Sequence, residues 1–94
     1  NEELIKNKEE GKVKLDKKEV KAIKTQIISS EKTLKRLQRK LSEIEGYLNS
    51  PDSYNEESGR NLHDLLREQV NLSSEIELTE QEWLDLNQKL EEFS

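Results

Sequence analysis

Residues 20–48 read VKAIKTQIISSEKTLKRLQRKLSEIEGYL, and residues 62–93 read LHDLLREQVNLSSEIELTEQEWLDLNQKLEEF. In the first stretch Val20, Ile23, Ile27, Ser30, Leu34, Leu37, Leu41, Ile44 and Leu48 recur in alternating steps of three and four. In the second, Leu62, Leu65, Gln69, Leu72, Ile76, Thr79, Trp83, Leu86, Leu90 and Phe93 do the same. Such a repeat keeps one stripe of each helix turned toward a partner, which is the seam of a coiled coil. Between the two runs lies Asn49-Ser50-Pro51-Asp52-Ser53, which holds the chain's one proline. Two coil-forming helices joined by a short break should fold back on each other. The expected fold is therefore all-α, a two-helix antiparallel coiled-coil hairpin.

Working outward, the 94 residues fit one domain. Only 30% of them are hydrophobic and 39% are charged. A compact globule needs more apolar material, whereas a hairpin buries one seam and solvates the rest, so a rod is expected. Residues 1–15 are polar apart from Leu4, Ile5, Val13 and Leu15, and read as a flexible linker or tail ahead of a hairpin over 16–94. Asp16 followed three residues later by Glu19 resembles a capping box. Helix 1 is expected over about 17–48, a loop over about 49–57 and helix 2 over about 58–93, with Gly59 leaving the second start open between 56 and 61. Without an initiator methionine the chain reads as a piece of something longer.

In heptad terms Val20, Ile27, Leu34, Leu41 and Leu48 occupy position a of helix 1, and Ile23, Ser30, Leu37 and Ile44 occupy d. In helix 2 Leu62, Gln69, Ile76, Trp83 and Leu90 occupy a, and Leu65, Leu72, Thr79, Leu86 and Phe93 occupy d. Pairing a with d across the fold sets Ser30 opposite Trp83, the smallest seam residue of helix 1 against the largest of helix 2. Trp83 thus reads as core rather than as a base-stacking platform. Gln69 and Thr79 are either tolerated polar positions or devices that specify register.

Several function classes find no support. The sequence has no cysteine, which excludes disulfides and thiolate metal sites and fits a reducing, cytoplasmic setting. His63 is the only histidine and has no ligand-forming neighbour. Acidic pairs are so frequent that their spacing says nothing about acid–base chemistry. No phosphate-binding glycine loop or nucleophile constellation occurs. No catalytic residue, metal, cofactor or small-molecule substrate is expected. No apolar run approaches the roughly 20 residues of a membrane span, and Asn1-Glu2-Glu3 cannot open a signal peptide.

Charge is the more telling property. The net charge of −5 conceals +8 over residues 12–40 and −11 over residues 41–94. Lys18, Lys21, Lys32, Lys35, Arg36 and Arg39 fall at b, c and f, away from the seam and out of easy reach of the acidic helix. Such a face is either simply solvated or a contact surface for a polyanion, DNA or RNA. Ile28, Val70, Leu78 and Leu84 are apolar residues outside the seam, and together they suggest docking of a third helix or a second chain.

The order of features also has a precedent. A lysine-rich entry, Lys12-Val13-Lys14-Leu15-Asp16-Lys17-Lys18-Glu19, leads into the first heptad helix. Leu48-Asn49-Ser50-Pro51-Asp52-Ser53-Tyr54 follows, and a second heptad helix ends in Glu82-Trp83-Leu84-Asp85-Leu86. Over about residues 12–92 this resembles the C-terminal coiled-coil domain of F-subfamily ATP-binding-cassette ATPases of the Uup type, including the interval from Tyr54 to Trp83. The resemblance implies a non-catalytic appendage of a soluble, non-transporting tandem ATPase that acts on ribosomes or nucleic acid, with a hairpin implicated in binding DNA. Two readings follow: a nucleic-acid-binding arm resting on the six basic residues, and a protein–protein spacer resting on Val70, Leu78 and Leu84.

Overall fold

The computed structural model describes residues 15–50, 52 and 61–93. They form two helices, α1 (Lys17–Leu48) and α2 (Leu62–Phe93), packed side by side as an antiparallel hairpin. At 1.5 Å per residue each is about 48 Å long. The Cα radius of gyration is 21.1 Å, against about 12 Å for a compact domain of this length. The rod expected from composition is the shape observed.

Local chemistry sets the helix ends. Asp16 is extended (φ −80°, ψ 173°), and its Oδ1 accepts from the Glu19 N–H at 2.7 Å, occupying one of the orphan donors of the first turn. Glu19 adds a negative charge where the helix dipole favours one. At the other end the Asn49 N–H donates to Glu45 O at 3.0 Å and the Ser50 N–H to Tyr47 O at 3.1 Å. Ser50 precedes a proline, which disfavours the helical backbone at that residue. Helix α2 opens with a similar device. Asn61 Oδ1 accepts from the Asp64 N–H at 2.8 Å while Asn61 Nδ2 donates to Asp64 Oδ2 at 2.8 Å. The earlier start expected near residue 58 lies outside the described residues, as do positions 1–14 of the expected tail. Leu15, the last residue of that tail, is half-buried, and its N–H donates to Phe93 O at 2.9 Å. This bond ties the start of the hairpin to its end.

Burial follows the heptads unequally. The buried apolar side chains are Ile23, Leu37, Ile44, Leu65 and Leu72, and all five sit at d. Ser30, also at d, is buried too. Position a of both helices is half-buried, apart from Leu62, which is exposed. In α1 the half-buried set also includes Thr33 and Tyr47 at g. On a helix, a and g lie about 50–60° to either side of d. Helix α1 therefore meets α2 through a stripe centred on d, and its a positions turn partly outward. The contiguous core is Leu37, Ile44, Leu65 and Leu72, with Leu41, Tyr47, Leu48 and Ile76 packed against it. No buried side-chain nitrogen or oxygen among the described residues lacks a hydrogen-bond partner. Thr79 satisfies its hydroxyl within its own helix, donating to Glu75 O at 2.8 Å. That bond asks nothing of α1, so Thr79 does not specify register through its hydroxyl.

Candidate nucleic-acid interface

The six basic residues singled out in the sequence are all exposed on α1. Lys21 and Lys35 occupy b, Lys18, Lys32 and Arg39 occupy f, and Arg36 occupies c. These positions span an arc of about 100° on the side of the helix away from α2. Lys18 and Arg39 are about 31 Å apart along the axis. The arc is not evenly charged. Lys17, Lys18, Lys21 and Lys24 form one cluster, and Lys32, Lys35, Arg36, Arg39 and Lys40 form another, with the uncharged stretch 25–30 between them. About 12 Å of helix separates Lys24 from Lys32. Glu31, at the edge of the second cluster, is engaged elsewhere, because its Oε2 accepts from Trp83 Nε1 at 3.1 Å.

That bond also locates Trp83. It is half-buried, and its indole N–H is committed to the residue next to Ser30. Its ring shares a groove of about 450 Å³ with Leu34, Lys35, Gln38, Glu80 and Leu84. A second groove, of about 380 Å³, lies along the start of α1 and is lined by Leu15, Lys17, Val20, Lys21, Lys24, Thr25 and Ile28. In both grooves the helical lining residues come chiefly from positions a, e and b. One flank of the hairpin is thus apolar in its depth and charged at its rim. Two of the six basic residues, Lys21 and Lys35, belong to this rim, and the other four do not line these grooves. Lys17 and Lys24 join the first cluster although neither belongs to the six: Lys17 reads as part of the lysine-rich entry, and Lys24 as a residue within reach of Glu80 on the second helix. Their e positions, next to the seam, were the available signal.

The apolar residues outside the seam divide in the same way. Ile28, Val70 and Leu84 occupy b and Leu66 occupies e, on the grooved side. Leu78, the most exposed of them at 72%, occupies c on the opposite flank. The set Val70, Leu78 and Leu84 therefore does not form one stripe. His63 is exposed near the start of α2, and its Nε2 accepts from Arg67 Nη2 at 2.8 Å. No group of three or more His, Cys, Asp or Glu residues among those described could hold a metal ion. No described helix is long and apolar enough to cross a membrane. Compared with known proteins, the chain matches no protein family, and neither a curated protein nor a solved structure proves similar to it.

Proposed function

We propose that the hairpin is a non-catalytic arm that binds DNA or RNA without sequence specificity, through phosphate contacts from α1. The observation that carries this reading is the exposed basic arc of Lys18, Lys32, Arg36 and Arg39, extended by Lys21 and Lys35 and turned away from the acidic helix. Phosphate contacts position a protein and carry little sequence information. Two lysine-rich clusters about 12 Å apart suit a polymer of charge better than one compact anion. The resemblance to the C-terminal domain of F-subfamily ATP-binding-cassette ATPases adds a parent, a soluble cytoplasmic ATPase that would carry the arm to nucleic acid such as ribosomal RNA. Helix α2 carries two basic and nine acidic residues, so it repels phosphate from the other side and holds affinity down. A dissociation constant of about 10⁻⁴–10⁻⁶ M is expected.

The test is a titration of labelled single- and double-stranded DNA and RNA at low and moderate salt. Affinity should fall steeply with salt, as counterion release requires. Reversal of Lys32, Arg36 and Arg39 to glutamate should abolish binding with helicity intact. Absence of salt-sensitive binding to any of these polymers would sink the reading. A second reading, a protein–protein spacer, is favoured by one specific feature, the grooved apolar flank.

A further inference from the structure

We infer that this flank is a self-association surface, and that its occupant is a second copy of the hairpin related by a two-fold axis along the long axis of the rod. Three observations point to a second copy rather than to an unrelated partner.

The first is the chemistry of the flank. Its depth is apolar, with Val20 and Leu34 of α1 and Trp83 of α2 half-buried there, and its shoulders carry Ile28, 53% exposed, and Leu84, 52% exposed. Surfaces of this kind, apolar at the centre and charged at the rim, are the usual anatomy of a protein interface.

The second is charge. On this flank α1 offers Lys17, Lys21, Lys24 and Lys35 against two acids, Glu31, which Trp83 engages, and Glu45 near the loop, whereas the charged residues of α2 there are all acidic, Glu77, Glu80 and Glu91. One surface thus carries a basic edge beside an acidic edge, which makes it complementary to itself. A two-fold axis along the rod lays α1 of one copy on α2 of the other, basic edge on acidic edge. A two-fold axis across the rod lays α1 on α1 and opposes like charges, which is costly. An isologous contact uses the same patch twice, so every favourable pair occurs twice.

The third is register. A rotation about the long axis moves nothing along that axis, so the intermolecular register repeats the intramolecular one. Within the chain Glu31 of α1 meets Trp83 of α2. On the same numbering, Ile28 of one copy falls within a helical turn of Leu84 of the other. Lys35 falls beside Glu77 of the other copy, and Lys21 beside Glu91. Two exposed apolar side chains meet each other, and the lysines on either side meet glutamates. Neither match was needed to build the hairpin. Lys21 and Lys35 would be occupied in this dimer, leaving Lys18, Lys32, Arg36 and Arg39 outward. The inference stands independently of nucleic-acid binding.

The experiment uses the full 94-residue chain and two single-cysteine variants, Ile28→Cys and Leu84→Cys. Each alone should cross-link poorly under mild oxidation, whereas an equimolar mixture should give the disulfide-linked heterodimer. Sedimentation should show a monomer–dimer equilibrium that weakens by about tenfold or more in Lys35→Glu. The double variant Lys35→Glu/Glu77→Lys should recover it, because the reversed pair meets again across the axis. Both positions are exposed, so far-UV circular dichroism should stay unchanged throughout. A strictly monomeric chain at its highest soluble concentration would overturn the inference. So would efficient cross-linking of Ile28→Cys with itself, or failure of the charge swap to restore association.

Discussion

The half of the hairpin nearest the loop and the half at its open end are written in one heptad repeat but packed to different depths. Near the loop, Leu37, Ile44, Leu65 and Leu72 fill successive d positions and form a contiguous core. Toward the open end the d positions are Ser30 and Ile23 in α1, and Thr79, Leu86 and Phe93 in α2. The first two are buried and the last three only half-buried. A serine and a threonine supply too little volume to fill a two-stranded seam, and Trp83 cannot compensate fully because it leans outward to reach Glu31. To the buried Ile23 and Ser30 the open half adds two directional bonds across the hairpin, the Leu15–Phe93 backbone bond and the Trp83–Glu31 bond, while the Asp16 cap secures the first turn of α1. Both grooves involve this half. The lesson is that an unbroken hydrophobic register does not guarantee uniform burial. Side-chain volume at d decides where a seam is dry, and its shortage leaves surface free for a partner.

The largest effect should come from the dry half. Leu37, 2% exposed, truncated to alanine should lose about 2–5 kcal/mol of stability, the cost of a large-to-small change in a core that cannot collapse. Leu86→Ala in the open half should cost clearly less, because its site already sees solvent. Equal losses in urea titrations of the two variants would erase the proposed difference between the halves.

Next in size is the cap. Asp16→Ala removes the acceptor of the Glu19 N–H and should destabilise by about 0.5–2 kcal/mol. Hydrogen exchange should localise the damage to the first turns of α1, with the amides around Leu37 and Ile44 still protected. If protection falls uniformly, the two halves open as one unit and the contrast is only geometric.

Gly46 gives a smaller effect of opposite sign. It lies inside α1, and a Cβ placed there would meet nothing within 4 Å. Gly46→Ala should therefore stabilise by about 0.5–1 kcal/mol through helix propensity and a less entropic unfolded chain, read as a raised midpoint at unchanged slope. Smallest is Glu31→Ala. Glu31 is exposed, so loss of its bond to Trp83 should cost no more than about 1 kcal/mol. Trp83 emission should shift to the red as the indole loosens. An unchanged spectrum would show that packing alone, not this bond, holds the ring at the open end.

The amino-acid sequence alone determined that there are two helices, that α1 spans 17–48, which residues form the seam, and that one helix is basic and the other acidic. These are local or periodic properties. Asp16, Glu19 and Pro51 act within a few residues, and the three–four spacing specifies which side chains share a stripe. It also identified the six exposed basic residues, because b, c and f positions face away from any seam partner. Tertiary structure alone decided how far each helix turns about its own axis. That rotation centres the contact on d, leaves a half-open and makes a groove on one flank. It sets Ile28 and Leu84 into the lining of the grooves on that flank, leaves Leu66 and Val70 on the same flank nearer the loop, and sends Leu78 to the other flank. The spacing of one helix cannot carry this information, since rotation by a few tens of degrees preserves the same stripe. It is set by how the side chains of two helices fit together, where a serine and a tryptophan in one seam must share a space that neither fills alone.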